Sequence, residues 1–230
     1  PTEMPETAPP VIKDIEIVGL SDADAKEAEE VFKEFIIAND IFLDLPTYSK
    51  YYYYDNEKFF NAVLKSTADK NNSTTEKVLD LLSELHGKPI SDFDFYAKAY
   101  YEAKNPEGYG PSYYDVTITS IERMTDKQIY HFNNQVDSIN EDGIDYYGVD
   151  LSSCYAFDEI YDYVYFNCDV VTVFDGETYN YDSEYAAVKT DKGWKIYDRD
   201  STVAVGSVYR IFEKICNIWW SNQGHPKILL

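Results

Sequence analysis

The stretch FNCDVVTVFDGETYNYDSEY, Phe166 to Tyr185, decides how the fold is read. At its centre lies Asp175-Gly176. An Asp-Gly pair between aromatic and β-branched runs is the strongest short signal for a two-residue hairpin turn. With that turn Phe174 pairs with Glu177, and the rest of the register follows. Phe166 then faces Tyr185, Cys168 faces Ser183, Val170 faces Tyr181 and Thr172 faces Tyr179. This face is apolar and aromatic, and is expected to meet a helical layer. The opposite face carries Asn167, Asp169, Val171, Asn180, Asp182 and Glu184, with Asp169 directly across from Asp182.

Opposed carboxylates repel. The pair reads as solvated and screened on an outer face, as oxygen ligands for a hard cation such as calcium, or as a shared-proton acid/base site. Asp169 and Asp182 are the candidates for a metal; no resident cofactor is expected.

Working outward, TDKG at Thr190–Gly193 marks a second tight turn, followed by an apolar strand containing Trp194. LSSCYAF at Leu151–Phe157 reads as a preceding strand. Downstream, Ser207 caps an expected helix with Val208, Ile211, Phe212, Ile215 and Trp219 on one side. Upstream, Thr125 and Gln128 form a capping box for a short helix with Ile129, Phe132, Val136 and Ile139 as its stripe. DFDFYAKAYYEA (Asp92–Ala103) and SYYDVTITSIER (Ser112–Arg123) read as two strands joined by a Gly/Pro loop.

Before them come three helices. Ser21 caps the first, with Ala25, Ala28, Phe32, Phe35 and Ile36 on one face and Pro46 ending the pattern. Asp55 caps the second, with Phe59, Phe60, Val63 and Leu64. Ser73 and Glu76 open the third, through Leu79, Leu82 and Leu85 to Gly87, after a loop at Ser66–Thr75. His86 at that helix end suits the dipole as a cation.

Helices, a hairpin, a helix and a meander imply an α+β fold, with helices on one face of an antiparallel sheet. Three parts are expected: an extended spacer over 1–20, one α+β domain over 21–199, and a C-terminal helix and tail over 200–230 packing on it. VFKEFIIAND (Val31–Asp40) and AAVKTDKGWKIYD (Ala186–Asp198), in this element order, resemble the nuclear transport factor 2-like superfamily. Within it, they resemble uncharacterised exported lipoproteins of Gram-positive gut bacteria. The resemblance implies a curved sheet wrapped around the N-terminal helices as a cone. The superfamily holds both enzymes and binding domains, so it leaves function open.

Composition narrows the function classes. The 230 residues carry a net charge of −22. That disfavours nucleic acid and anionic membrane surfaces, which are met by Lys and Arg. No run of about 20 apolar residues is present to span a membrane. The Pro-, Thr- and Glu-rich opening PTEMPETAPP reads as a spacer, and suggests an exported, cell-surface protein with a lipid anchor upstream. Cys154, Cys168 and Cys216 show neither a disulfide framework nor a zinc signature. NEDGID (Asn140–Asp145) matches part of a calcium loop, but Ser138 and Val149 occupy the terminal ligand positions; it reads as a helix-end loop.

The 23 tyrosines and 12 phenylalanines are the compositional anomaly. Tyrosine fills strands, and also makes contact surfaces that combine rigid area with a hydroxyl. The run Tyr51–Tyr54 reads as an elbow between helices, with one or two rings buried and the rest exposed. The binding residues expected are Phe166, Tyr181, Tyr185, Tyr52 and Tyr53. The first reading is an exported, non-catalytic module binding a small molecule, glycan or protein. The second is a small-molecule enzyme of isomerase or hydrolase type, using a carboxylate and tyrosines inside the cone.

Overall fold

β3 (Ile160–Phe174) and β4 (Glu177–Thr190) pair antiparallel about Asp175-Gly176. The two turn residues have φ of 50° and 83°, both positive as a mirror-image turn requires. The register is the one the turn dictates: Phe166 faces Tyr185, Val170 faces Tyr181, and Asp169 faces Asp182. The computed structural model describes residues 15–106 and 110–198. The expected helix from Ser207, Cys216 and the tail to 230 lie outside these residues.

β2 (Tyr113–Arg123) flanks β3, and β5 (Gly193–Tyr197) flanks β4, both antiparallel. A further strand, β1 (Glu16–Val18), pairs parallel to β2. The sheet order is β1-β2-β3-β4-β5, so the sheet is mixed rather than wholly antiparallel. Residues 16–18 were expected in a spacer; three exposed residues carry too little pattern to announce a strand. Register shifts at Ile118/Ser120 and Ile160/Asp162 bend the ladder. The resulting sheet is curved and not closed.

Five α-helices precede β2 among the described residues, and a sixth follows it. α1 (Asp22–Ile36) starts where Ser21 accepts from the Asp24 amide, and buries Ala25, Ala28, Phe32, Phe35 and Ile36. The pattern does not end at Pro46. Asp44 caps a short α2 (Leu45–Tyr51) with Pro46 in its first turn, where a missing N–H costs nothing. α3 (Asn56–Lys70) begins at the Asp55 cap and buries Phe59, Phe60, Val63 and Leu64. It runs through the first half of the stretch expected as a loop, Ser66 to Lys70. α4 (Thr75–His86) is capped by Thr74 rather than Ser73, and ends at Gly87 with φ of 64°. Its core residues are Val78 and Leu82, while Leu85 is exposed.

The largest correction is α5 (Phe93–Lys104), expected as a strand. Its aromatic composition favours a strand, but Phe93, Tyr96, Ala97 and Tyr100 recur at helical spacing, and Asp92 caps the Phe95 amide at 3.0 Å. Tyr96 is fully buried against Phe60, 5.2 Å between ring centroids. α6 (Asp126–Tyr147) keeps its Thr125–Gln128 capping box but is not short: NEDGID continues the helix. LSSCYAF forms a 3-10 turn at Leu151–Cys154 instead of a strand.

The core lies between sheet and helices as one contiguous cluster. Phe32 of α1 stacks on Phe166, and Trp194 meets Phe32 edge-on at 5.6 Å. Tyr52, Tyr53 and Tyr54 are all buried, against an expectation of one or two. No regular element could bury three consecutive rings, and here none has to. The extended chain threads between two partners, Tyr52 bridging Ile196 and Tyr54 bridging Tyr155, so packing is available on both sides.

Candidate functional site

The hairpin places Tyr181 and Tyr185 on one face, Tyr185 paired with Phe166 and Tyr181 with Val170. Phe166 is fully buried, sandwiched by Phe32 at 4.0 Å and Tyr185 at 5.2 Å. Tyr185 is nearly buried, while Tyr181 remains 38% exposed. Both hydroxyls donate to one carboxylate oxygen, Oδ2 of Asp40, at 3.1 Å from Tyr185 and 3.2 Å from Tyr181. Tyr52 and Tyr53 do not join them. Tyr52 packs on Tyr48 at 4.8 Å, and Tyr53 sits among Phe132, Tyr155, Phe157 and Tyr197.

Asp40 is the residue that sequence reasoning missed. It lies in a single turn of π-helix, Ile37–Ile41, that continues α1. Such turns recur at functional sites because they re-aim side chains. A signal was present: Phe32, Phe35, Ile36 and Asn39 follow the helical stripe, so a polar residue stands at a core position. Asn39 is 6% exposed, and its Nδ2 donates to Asp40 Oδ1 at 2.7 Å and to Asp198 Oδ2 at 3.3 Å.

Burial raises the Asp40 pKa above the usual carboxylate range, against the pull of the Tyr185, Tyr181 and Asn39 hydrogen bonds. Burial and the Asp40 charge hold both phenols firmly protonated. Cys168, on the same face, is pushed up to about 12 by burial, with the Asp40 charge adding to it. It is an inert thiol in the folded chain.

With their hydroxyl protons held in hydrogen bonds to Asp40, the Tyr181 and Tyr185 oxygens can only accept from a further partner. Tyr179 repeats the device, donating to Glu177 at 2.9 Å. Tyr114 and Tyr179 both pair with Thr172, so they share one face with Tyr181. Tyr114, Tyr179 and Tyr181 are 41%, 50% and 38% exposed, forming an open aromatic strip across three strands. Phe42, just after the π-helical turn, meets Tyr114 edge-on at 5.5 Å.

Asp169 and Asp182 face each other, with Asp182 exposed. Among the described residues, no group of three or more His, Cys, Asp or Glu is placed to hold a metal ion. His86 differs from its expected cationic role: burial lowers its pKa, and the ring lies edge-on to Tyr96 at 5.7 Å. No helix of the described residues is long and apolar enough to cross a membrane.

Comparison with protein-family models, with curated proteins and with solved structures finds no match to this chain.

Proposed function

We propose that the chain is a non-catalytic binding module that takes an uncharged, hydroxyl-rich ligand, a glycan, on the tyrosine strip beside Asp40. One observation carries the reading: Tyr181 directs its hydroxyl proton to Asp40 beside the nearly buried Tyr185, while the strip that Tyr181 belongs to stays open to solvent. A ligand meeting these oxygens must donate hydrogen bonds, and exposed rings offer flat area for sugar rings to lie on. The net charge of −22 disfavours anionic alternatives.

The test is titration with neutral oligosaccharides by calorimetry. Tyr181→Phe is expected to weaken binding by about 0.5–1.5 kcal/mol, roughly 2- to 12-fold. Tyr179→Ala is expected to weaken it further by removing ring area. Absence of saturable binding to any neutral glycan at millimolar concentration overturns the reading.

A second reading is favoured by Asp40 itself. A carboxyl with a raised pKa, held by two phenols, is equipped for acid/base work on a small molecule of the isomerase or hydrolase type. Turnover separates the two: an enzyme converts a small-molecule substrate and loses that turnover in Asp40→Asn, whereas a binding module shows saturable glycan binding with no turnover.

The nuclear transport factor 2-like resemblance stands as a proposal beside these, supported by helices that precede a curved sheet, with α5 replacing the first strand of the expected hairpin. Surface display is likewise a proposal; it rests on the opening composition and is tested by cell fractionation.

A further inference from the structure

The helical layer covers one end of the sheet face that carries the hairpin aromatics. There Phe166 is held between Phe32 of α1 and Tyr185. At the other end, Tyr114, Thr172 and Tyr179 form one row across three strands, and Val116, Val170 and Tyr181 form the next. Val116, Val170 and Thr172 are buried, but the three tyrosines around them stay exposed. A contiguous apolar surface of this kind marks a place where something docks.

The polypeptide leaves the described fold beside this surface. Asp198 is the last described residue, and its Oδ2 accepts from Asn39 Nδ2 at 3.3 Å. The same amide donates to Asp40 Oδ1 at 2.7 Å, and Asp40 Oδ2 accepts from the Tyr181 and Tyr185 hydroxyls. One amide therefore ties the exit point of the chain to the acceptor of the strip. In the sequence, 32 residues follow Asp198.

Those residues complement the surface beside which they begin. Ser207 precedes Val208, Ile211, Phe212, Ile215 and Trp219, apolar residues at helical spacing that need cover. Residues 199–230 hold Arg199, Arg210, Lys214 and Lys227 against Asp200 and Glu213, so the segment is net basic in a chain of net charge −22. The polar groups of the strip are acidic: Asp40 accepts from Tyr181 and Glu177 from Tyr179. Opposite charge favours this segment over a second copy of the whole acidic chain. Reach is sufficient as well. Residues 199–206 extend over about 26 Å, and the path along β4 from Tyr185 to Tyr179 is about 20 Å.

We propose that Ser207–Trp219 docks as a helix on this end of the sheet of its own molecule, laying its apolar stripe over the rings of Tyr114, Tyr179 and Tyr181. Where the glycan reading also holds, segment and sugar compete for the strip. Docking is read without sugar, so either reading can fail without the other.

The experiment places a nitroxide on Cys216 of the full chain and records paramagnetic broadening of the tyrosine ring resonances. Cys154 and Cys168 are buried, and a Cys216→Ser chain treated alike supplies the background. The expected result is strong broadening of Tyr114, Tyr179 and Tyr181, with little at Tyr130 and Tyr161, which are exposed elsewhere. Ile211→Asp/Ile215→Asp should reduce the broadening of the three strip tyrosines to the level seen at Tyr130. Broadening no greater on the strip than at Tyr130 and Tyr161 overturns the proposal. So does strip broadening that persists in the double variant. A third adverse outcome is strip broadening of an isotope-labelled, nitroxide-free chain mixed with the spin-labelled one, which assigns the segment to a second copy. If the double variant fails to fold, the comparison of strip and control tyrosines in the unaltered chain decides the matter alone.

Discussion

The rings of Phe32 and Phe166 stack face to face, 4.0 Å between centroids and 14° between planes, joining the first helix to the central strand of the sheet. Both are fully buried. Truncating either to Ala is expected to cost about 3–5 kcal/mol, the range for a buried aromatic. The double variant should lose less than the sum, with a coupling of about 0.5–1.5 kcal/mol. Urea unfolding of the four species measures this, and strict additivity would refute a direct stacking contribution.

Trp194→Ala should cost about 3–5 kcal/mol on the same grounds. Trp194 is 2% exposed, but its Nε1 is buried without an acceptor. Trp194→Phe should therefore cost much less, because it removes an unpaired N–H with the lost volume. An unchanged melting temperature in Trp194→Ala would show that the ring is not in the core.

Asp40 makes a signed prediction about pH. Its folded pKa lies above the unfolded value near 3.9. The folded state then binds the proton more tightly, so this contribution is fully present below about pH 4 and lost as pH rises through the folded pKa. Asp24, Glu76, Glu102 and Asp191 are shifted downward and act in the opposite sense, but they are common to wild type and Asp40→Asn. The stability of wild type minus that of the variant should accordingly grow as pH falls from 7 toward 4. A difference that stays flat across chemical denaturation at these pH values would mean Asp40 titrates as an ordinary solvated carboxyl.

Asp169 and Asp182 oppose each other across β3 and β4. If solvent screens them, Asp182→Asn leaves stability unchanged or improves it by a few tenths of a kcal/mol. Millimolar calcium then does not move the melting temperature. A rise of several degrees, lost in the variant, would establish a cation site at this pair.

Cys154 and Cys168 are both buried, and burial raises both thiols. In a Cys216→Ser background, alkylation by iodoacetamide at pH 8 should be slow in the folded protein and rapid in denaturant. Fast labelling of Cys168 under native conditions would contradict its placement beneath the tyrosine strip.

The hairpin was legible because one dipeptide fixes it: after Asp175-Gly176, parity alone assigns each side chain to a face. Capped helices with apolar stripes were legible for similarly local reasons. α5 was not, because its tyrosines and phenylalanines carry strand propensity while its spacing is helical, and spacing prevailed through packing on Phe60. β1 has three residues and gains its identity only from β2. The candidate site was half legible. Tyr181 and Tyr185 follow from the register, but their acceptor lies about 140 positions away in sequence, delivered by a π-helical turn that no local pattern specifies. Asn39 on an apolar stripe was the one available hint.

The bridge from Tyr52 to Ile196 has a consequence for the order in which the protein can assemble. It joins a point near the start of the helical half to the last strand of the sheet, so the loop it closes contains nearly everything between. Contacts so far apart in sequence form late, after the chain entropy of the loop has been overcome. As the chain emerges during synthesis, the helices arrive first, and the tyrosine run has only part of its cover, from Tyr48, Phe132, Tyr155 and Phe157, until Ile196 and Tyr197 of β5 appear. Rings that lack part of their cover are adhesive surface. The last strand therefore acts as a latch, and a nascent chain stalled before Gly193 should be the form most prone to aggregate.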